Sequence, residues 1–216
     1  FCTVDLSAFY LDIRKDSLYC DRLDDPRRRA ARTVLDELFN CLTVWLAPFI
    51  CFTAEEAWLA RIGDDATDSV HLRTFPDLPD AWHDDALMEK WRRIRAVRRA
   101  VTGALELERA EKRIGSSLQA APRVHTNAAT AALFADLDAA ELFITSGATF
   151  DTDTPPNDAF QLEEVVDVAV VPVLADGEKC ERCYQVLEDI GSVDGHPMVC
   201  WRCADAANNH QPLNPE

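Results

Sequence analysis

Cys180-Glu181-Arg182-Cys183, sixteen further residues, then Cys200-Trp201-Arg202-Cys203: this stretch decides how the end of the chain folds. A Cys-x-x-Cys knuckle bends the backbone tightly enough to aim two sulfurs at one point. Two facing knuckles supply a tetrahedron of thiolates, which suits Zn²⁺ with Zn–S distances of about 2.3 Å. Asp194-Gly195 lies between them and predicts a hairpin turn, because both residue types tolerate positive φ. Four thiolates leave no open position for water or substrate, so a metal held this way is structural. Two disulfides in an exported chain are the competing reading. His196 and His210 lie nearby, but a filled four-sulfur site does not need them. The remaining cysteines, Cys2, Cys20, Cys41 and Cys51, are scattered, and Cys41 and Cys51 fall within apolar helical patterns. They read as reduced and mostly buried. With a metal site, that points to a reducing, cytosolic compartment.

Upstream of the knuckles the texture is mixed. Arg123-Val124-His125 predicts a strand, Thr130 to Leu137 a short helix, Leu142 to Thr145 a second strand, and Val165 to Val173 a β-branched run. Residues 114–173 are therefore expected to form a small α+β unit, residues 174–206 a zinc ribbon, and 207–216 a polar, disordered tail. Before Ile114 the periodicity is helical. Leu6, Phe9, Tyr10 and Ile13 make one apolar face. Asp25-Pro26 starts a helix, with Asp as N-cap and Pro at the first helical position, and Pro48 interrupts it. Thr53-Ala54-Glu55-Glu56 reads as a capping box for the next helix, which Gly63 ends. Residues 64–83 are acidic and turn-rich, with a short extended piece at Val70-His71-Leu72. A third helix over Asp84 to Arg113 carries Leu87, Trp91, Ile94, Val101 and Leu105 in one sector. Arg92, Arg95 and Arg99 lie opposite, while Arg98 intrudes on the apolar side. The expected architecture is multidomain: an α-helical bundle over 1–113, then the α+β unit, then the ribbon.

At 216 residues the chain can bury a core without staples. Its composition, 48% hydrophobic and 28% charged, is that of a globular protein. No apolar run reaches the roughly 18 residues of a membrane span, and the start at Phe1-Cys2-Thr3 reads as the interior of a longer polypeptide. A net charge of −16 argues against a nucleic-acid partner when averaged over the chain. The distribution argues otherwise. Lys90 to Arg123 holds ten basic residues and three acidic ones, whereas Val124 to Glu178 has no Lys or Arg.

Leu6-Ser7-Ala8-Phe9-Tyr10-Leu11-Asp12-Ile13-Arg14-Lys15-Asp16 resembles a segment that follows the catalytic core in bacterial isoleucyl-tRNA synthetases. Trp45-Leu46-Ala47-Pro48-Phe49 with Phe52-Thr53-Ala54-Glu55-Glu56-Ala57-Trp58 is similar to anticodon-binding helices of the class I synthetases for isoleucine, valine and leucine. Ile114-Gly115-Ser116-Ser117-Leu118-Gln119-Ala120 and Thr145-Ser146-Gly147-Ala148 resemble later landmarks in the same order. The paired knuckles, with Tyr184 after Cys183, favour the isoleucine enzymes, although Trp is the commoner residue at that position. The resemblance covers essentially the whole chain. His-x-Gly-His and Lys-Met-Ser-Lys-Ser, which bind the nucleotide in that family, are absent. The resemblance thus implies the tRNA-binding C-terminal part of a monomeric cytoplasmic ligase. Its ATP-using catalytic core and its editing domain would lie upstream of Phe1.

Phosphate neutralisation needs Arg and Lys, and unpaired bases need rings or guanidinium planes to stack on. Arg92, Arg95, Arg99, Lys112 and Arg113 are the candidates on the long helix, and Arg182, Tyr184 and Arg202 those at the knuckles. A solvated helix face with Glu106, Glu108 and Glu111 as partners is the alternative for the first group, and packing within the ribbon for Tyr184. Arg27, Arg28, Arg29 and Arg32 crowd a helix start where the macrodipole disfavours cations, which hints at an external anion. The second function class is an acidic, zinc-stabilised protein-interaction module without RNA binding. No Gly-rich phosphate loop, His-Glu-x-x-His or nucleophile elbow is present, so no catalytic residue is expected. Glu55-Glu56 and Glu163-Glu164 read as a cap with its neighbour and a solvated pair.

Overall fold

The computed structural model describes residues 1–63 and 68–210. Cys2–Leu11 winds as a wide π-type helix, with Leu6 N–H bonded to the Phe1 carbonyl at 3.1 Å, and runs into α1 (Asp12–Cys20). Then follow α2 (Pro26–Leu46), α3 (Cys51–Ile62), α4 (Asp85–Ala110), β1 (Arg123–Thr126), α5 (Ala128–Ala132) and α6 (Ala139–Phe143). β2 (Thr149–Asp151), β3 (Phe160–Gln161), β4 (Val168–Val171), β5 (Glu178–Lys179), β6 (Val186–Leu187) and α7 (Trp201–Asn208) complete the order. No helix among the described residues is long and apolar enough to cross a membrane.

The chain divides into two compact units, Phe1–Leu23 with Asp85–Glu216, and Asp24–Asp84. These limits differ from the expected domains 1–113, 114–173 and 174–206. The reason lies in α4. Its sector of Ile94, Val97, Val101 and Leu105 is buried in one core with Ile13 of α1, Val124 of β1, and Val168 and Val170 of β4. α4 thus packs its apolar face on the sheet of the same unit.

In this first unit, strand order is β2-β1-β4-β3, with β1 parallel to β2 and antiparallel to β4. Register sets Val124 opposite Val170 and Thr126 opposite Val168, so one sheet face gathers three valines. Phe160 of β3 lies against α4 at Gly103, where an added Cβ would come within 3.0 Å of the ring. The helical glycine, costly by propensity, makes room for that contact. Residues Leu142–Thr145, expected as a strand, instead end α6: Ile144 is left-handed at φ 57°, and Thr145 N–H returns to the Ala140 carbonyl at 3.0 Å. Asp138 caps that helix through Glu141 N–H at 3.1 Å, a local bond that outweighs the β-branched run after it.

In the second unit, Asp25 caps α2 as expected, accepting from Arg27 N–H at 2.8 Å. α2 and α3 close over Val44, Ala47, Ala54, Trp58 and Val70, and the Phe39 ring stacks near Trp58 at 6.2 Å between centroids. α3 starts two residues before Thr53, since the turn after Leu46 passes its bonds directly into the helix and Ala54 N–H already reaches the Ile50 carbonyl at 2.9 Å. Thr53 and Glu56, the two ends of the expected box, therefore lie inside the helix, and the Glu55 carboxylate turns elsewhere. It accepts from Ser69 Oγ and Val70 N–H, each at 2.9 Å, and so pins Val70–Leu72 as a 3₁₀ turn rather than the expected extended piece. Gly63, at φ 94°, ends α3. Residues 64–67 of the acidic stretch, and 211–216 of the expected tail, lie outside the described residues; α7 continues to Asn208.

Candidate metal centre and nucleic-acid interface

Cys180, Cys183, Cys200 and Cys203 are all buried, and their sulfurs lie within 4.8 Å of one another. Cys183 Sγ and Cys200 Sγ are 3.9 Å apart. A tetrahedron with bonds of about 2.3 Å has edges of about 3.8 Å, so the donor set has the size and softness for a zinc-like ion. All eight cysteines are free thiols, which removes the disulfide reading. Crowding makes a thiolate unfavourable without a cation. The Cys183 thiol is pushed up to about 11, through its hydrogen bond with Cys200 and through burial. Cys203 is raised as well, by hydrogen bonds with Cys183 and Cys20.

The backbone builds the first knuckle between two short paired strands, β5 and β6. Tyr184 N–H bonds the Cys180 carbonyl at 2.9 Å and Cys180 N–H the Gln185 carbonyl at 2.8 Å, and Tyr184 takes φ 65° to close the turn. At Gly177, before β5, φ is 112° and an added Cβ would lie 2.2 Å from the Leu187 carbonyl oxygen; only glycine fits there. The second knuckle opens α7, and Cys200 N–H points at Cys180 Sγ at 3.4 Å. The expected hairpin at Asp194-Gly195 therefore moves. Strand pairing encloses the first knuckle alone, and Gly195 (φ 82°) sits in a separate turn closed by His196 N–H to the Val193 carbonyl at 3.0 Å. His196 is engaged with Asn208, 2.7 Å from Nε2 to Oδ1.

The arginines inside the knuckles point inward. Arg182 donates to the Tyr19 carbonyl at 3.0 Å and the Cys20 carbonyl at 2.5 Å, satisfying acceptors that the end of α1 leaves open. Arg202 grips Asp16 at 2.5 and 3.0 Å and Asp21 at 3.0 Å. Burial opposes its charge, but the bonds to Asp16 and the attraction of Asp21 raise its pKa above the usual arginine value. Neither guanidinium is presented to a ligand. Tyr184 is 56% exposed, with Lys179 Nζ 4.9 Å from its ring centre. Trp201, which opens α7 beside Cys200, is 61% exposed.

On α4, Arg95 bonds Asp5 at 2.5 Å and lies over the Phe9 ring at 4.8 Å. Arg98 donates to the Leu142 carbonyl at 2.8 Å, and burial lowers its pKa. Arg113 holds Glu108 at 2.5 and 2.7 Å and also contacts Glu111. Arg92 is exposed and pairs with Glu89 one turn away. Arg99 is exposed and, among the described residues, has no acidic partner; Lys112, left-handed at φ 59°, is exposed at the helix end. The eight sequence candidates thus split: Arg95, Arg182 and Arg202 are half-buried and bonded within the fold, while Arg92, Arg99, Lys112, Arg113 and Tyr184 are exposed, Arg92 and Arg113 each paired with glutamates nearby in sequence. Asp16, Asp21 and Cys20, the seat of the ribbon, carry no signal in the sequence, because nothing local links them to residues more than 160 positions away.

The family described as the anticodon-binding domain of tRNA ligase matches residues 1–124. Isoleucine–tRNA ligase of Agrobacterium fabrum is 51% identical over 95% of this chain, and that of Ruegeria pomeroyi 54% over 96%. The ligase of Brucella abortus is 50% identical over 99%. The chain spans 21–22% of the length of these relatives.

Proposed function

Because the chain belongs to the family of anticodon-binding domains of tRNA ligases, we propose that it is the tRNA-gripping part of a cytosolic, monomeric isoleucine–tRNA ligase. It holds the anticodon stem-loop of isoleucine tRNA for a catalytic core that uses ATP elsewhere in the polypeptide. One structural Zn²⁺ sits among Cys180, Cys183, Cys200 and Cys203 and keeps the ribbon folded. Arg92, Arg99 and Lys112 neutralise phosphates, and Tyr184 offers a ring to a base. Arg95, Arg182 and Arg202 act indirectly, by fixing the surfaces on which those groups stand. The observation that carries this reading is the similarity, which covers 99% of the chain, the helices and the buried four-sulfur cluster both included.

Titrating the chain into labelled isoleucine tRNA over a salt series tests it. Log K is expected to fall linearly with log salt, and the Arg92→Ala/Arg99→Ala variant to have a shallower slope. No binding at any salt overturns the proposal. The acidic protein-interaction module keeps one observation in its favour: Phe49 and Phe52 stand exposed at the turn between α2 and α3. Salt-independent capture of a protein in place of tRNA would favour it.

A further inference from the structure

The arginines at the start of α2 find no role in the site described above, and the structure brings two of them to a concave surface. Arg29, Arg32 and Asp36 follow one another at helical spacings of three and four, so they share a face. Arg61 of α3 meets that face through an ion pair with Asp36, 2.6 Å from Nη2 to Oδ1. Together with Thr33, Leu35 and Phe39 these four residues line a cleft of about 560 Å³. Phe39 stands at its wall, its ring stacked on that of Trp58. Thr33 bonds its own helix, donating to the Arg29 carbonyl at 3.1 Å.

The charges in the cleft do not cancel. Arg61 offsets Asp36, which leaves the cations of Arg29 and Arg32 in excess. Both are exposed, and among the described residues neither side chain has an ion-pair or hydrogen-bond partner. In the first unit, by contrast, Arg14, Arg95, Arg98, Arg113 and Arg202 each hold a carboxylate. Two guanidinium groups on adjacent turns of a helix whose positive end lies nearby repel each other and the dipole. An anion between them reverses both terms.

We infer that the cleft of Arg29, Arg32 and Arg61 is a phosphate-binding site for the backbone of the RNA, separate from the α4 cations. The inference rests on the tRNA-binding reading above. A guanidinium matches a phosphate with two parallel hydrogen bonds, and two arginines one turn apart are spaced by about 5–6 Å at Cβ, close enough to clamp one phosphate or address two neighbours. An acidic peptide is the poorer occupant. The cleft lies between helices and has no free strand edge to add a peptide to.

The test compares the full chain with its Arg29→Gln/Arg32→Gln and Arg29→Lys/Arg32→Lys variants, binding labelled isoleucine tRNA over a salt series. Circular dichroism checks that helix content is unchanged. The Gln variant is expected to bind about tenfold more weakly, with the log K against log salt slope reduced by about 1 to 2. The Lys variant keeps most of the slope and loses part of the affinity, as point charges replace planar forks. A Gln variant that matches the unmodified chain in affinity and slope overturns the inference while leaving the tRNA-binding reading intact. An unmodified chain that binds no tRNA overturns both. Unchanged tRNA binding with lost binding of a poly-glutamate peptide assigns the cleft to protein and overturns the inference.

Discussion

The ribbon and the α2–α3 pair solve the same problem with different materials. Around the ribbon the buried cluster is built on sulfurs, Cys180, Cys183, Cys200 and Cys203 joined by Cys20, with Leu187, Ile190 and Val199 only half-buried beside them. Its sheet has two strands of two residues each. The α2–α3 pair is closed by apolar groups, Val44, Ala47, Ala54, Trp58 and Val70 against Phe39. A segment well under about 40 residues cannot bury enough apolar surface to pay for its own chain entropy, so it needs a cross-link or a metal. The difference predicts that metal loss and core truncation unfold different regions.

The largest effect is expected from the metal. Chelation, or Cys183→Ser, should expose amides from Glu178 to Asn208 to hydrogen exchange and leave Pro26–Ile62 protected, since zinc in small sites supplies roughly 10–16 kcal/mol of apparent folding energy. Elemental analysis of the purified chain should find one zinc per chain. Simultaneous loss of protection in both regions would erase the contrast. The reciprocal experiment is Trp58→Ala, which removes the ring that Phe39 and Arg73 lie against. It should cost the α2–α3 pair about 3–5 kcal/mol in urea unfolding, with zinc content unchanged. Trp58→Phe should cost much less, because Trp58 Nε1 is buried without a partner and phenylalanine carries no such donor.

Arg202→Met asks how far the ribbon depends on its seat. Asp21 is almost fully buried, and the substitution takes the Arg202 guanidinium away from its carboxylate, for which about 2–3 kcal/mol is expected, since Arg202 itself is partly open to solvent. Zinc should be retained while exchange at the end of α1 rises. The smallest effect lies away from both regions. The Glu108 carboxyl is held below the usual carboxylate range by its hydrogen bond from Arg113. Its contribution is therefore complete above the unfolded carboxylate value, about 4.3, and is lost as pH falls through the lower folded value. An NMR titration of Glu108 should show the low value return toward normal in Arg113→Gln, without change in either core.

The parts legible in the sequence were those set over short distances. The Cys-x-x-Cys pairs, the Asp25-Pro26 helix start and the glycine stop at Gly63 each depend on residues within a turn or two, and the structure has them where expected. Local reading failed where a distant partner changed the outcome. Val70-His71-Leu72 looks extended until the Glu55 carboxylate takes Ser69 Oγ and Val70 N–H. Arg202 looks like an RNA contact until Asp16 and Asp21 take it. Strand β3 was passed over because two residues, Phe160 and Gln161, carry no period to detect; β4 and the notch at Gly103 give them their place.

From the sequence by itself came the sulfur centre, the helical character of the first 110 residues and the family to which they belong. Spacing and local bonding are properties of a few neighbouring residues and survive without a fold. Which arginines face outward was decided only in three dimensions. A guanidinium is as content with a carboxylate 186 positions away as with a phosphate, and only the packed chain says which one it meets.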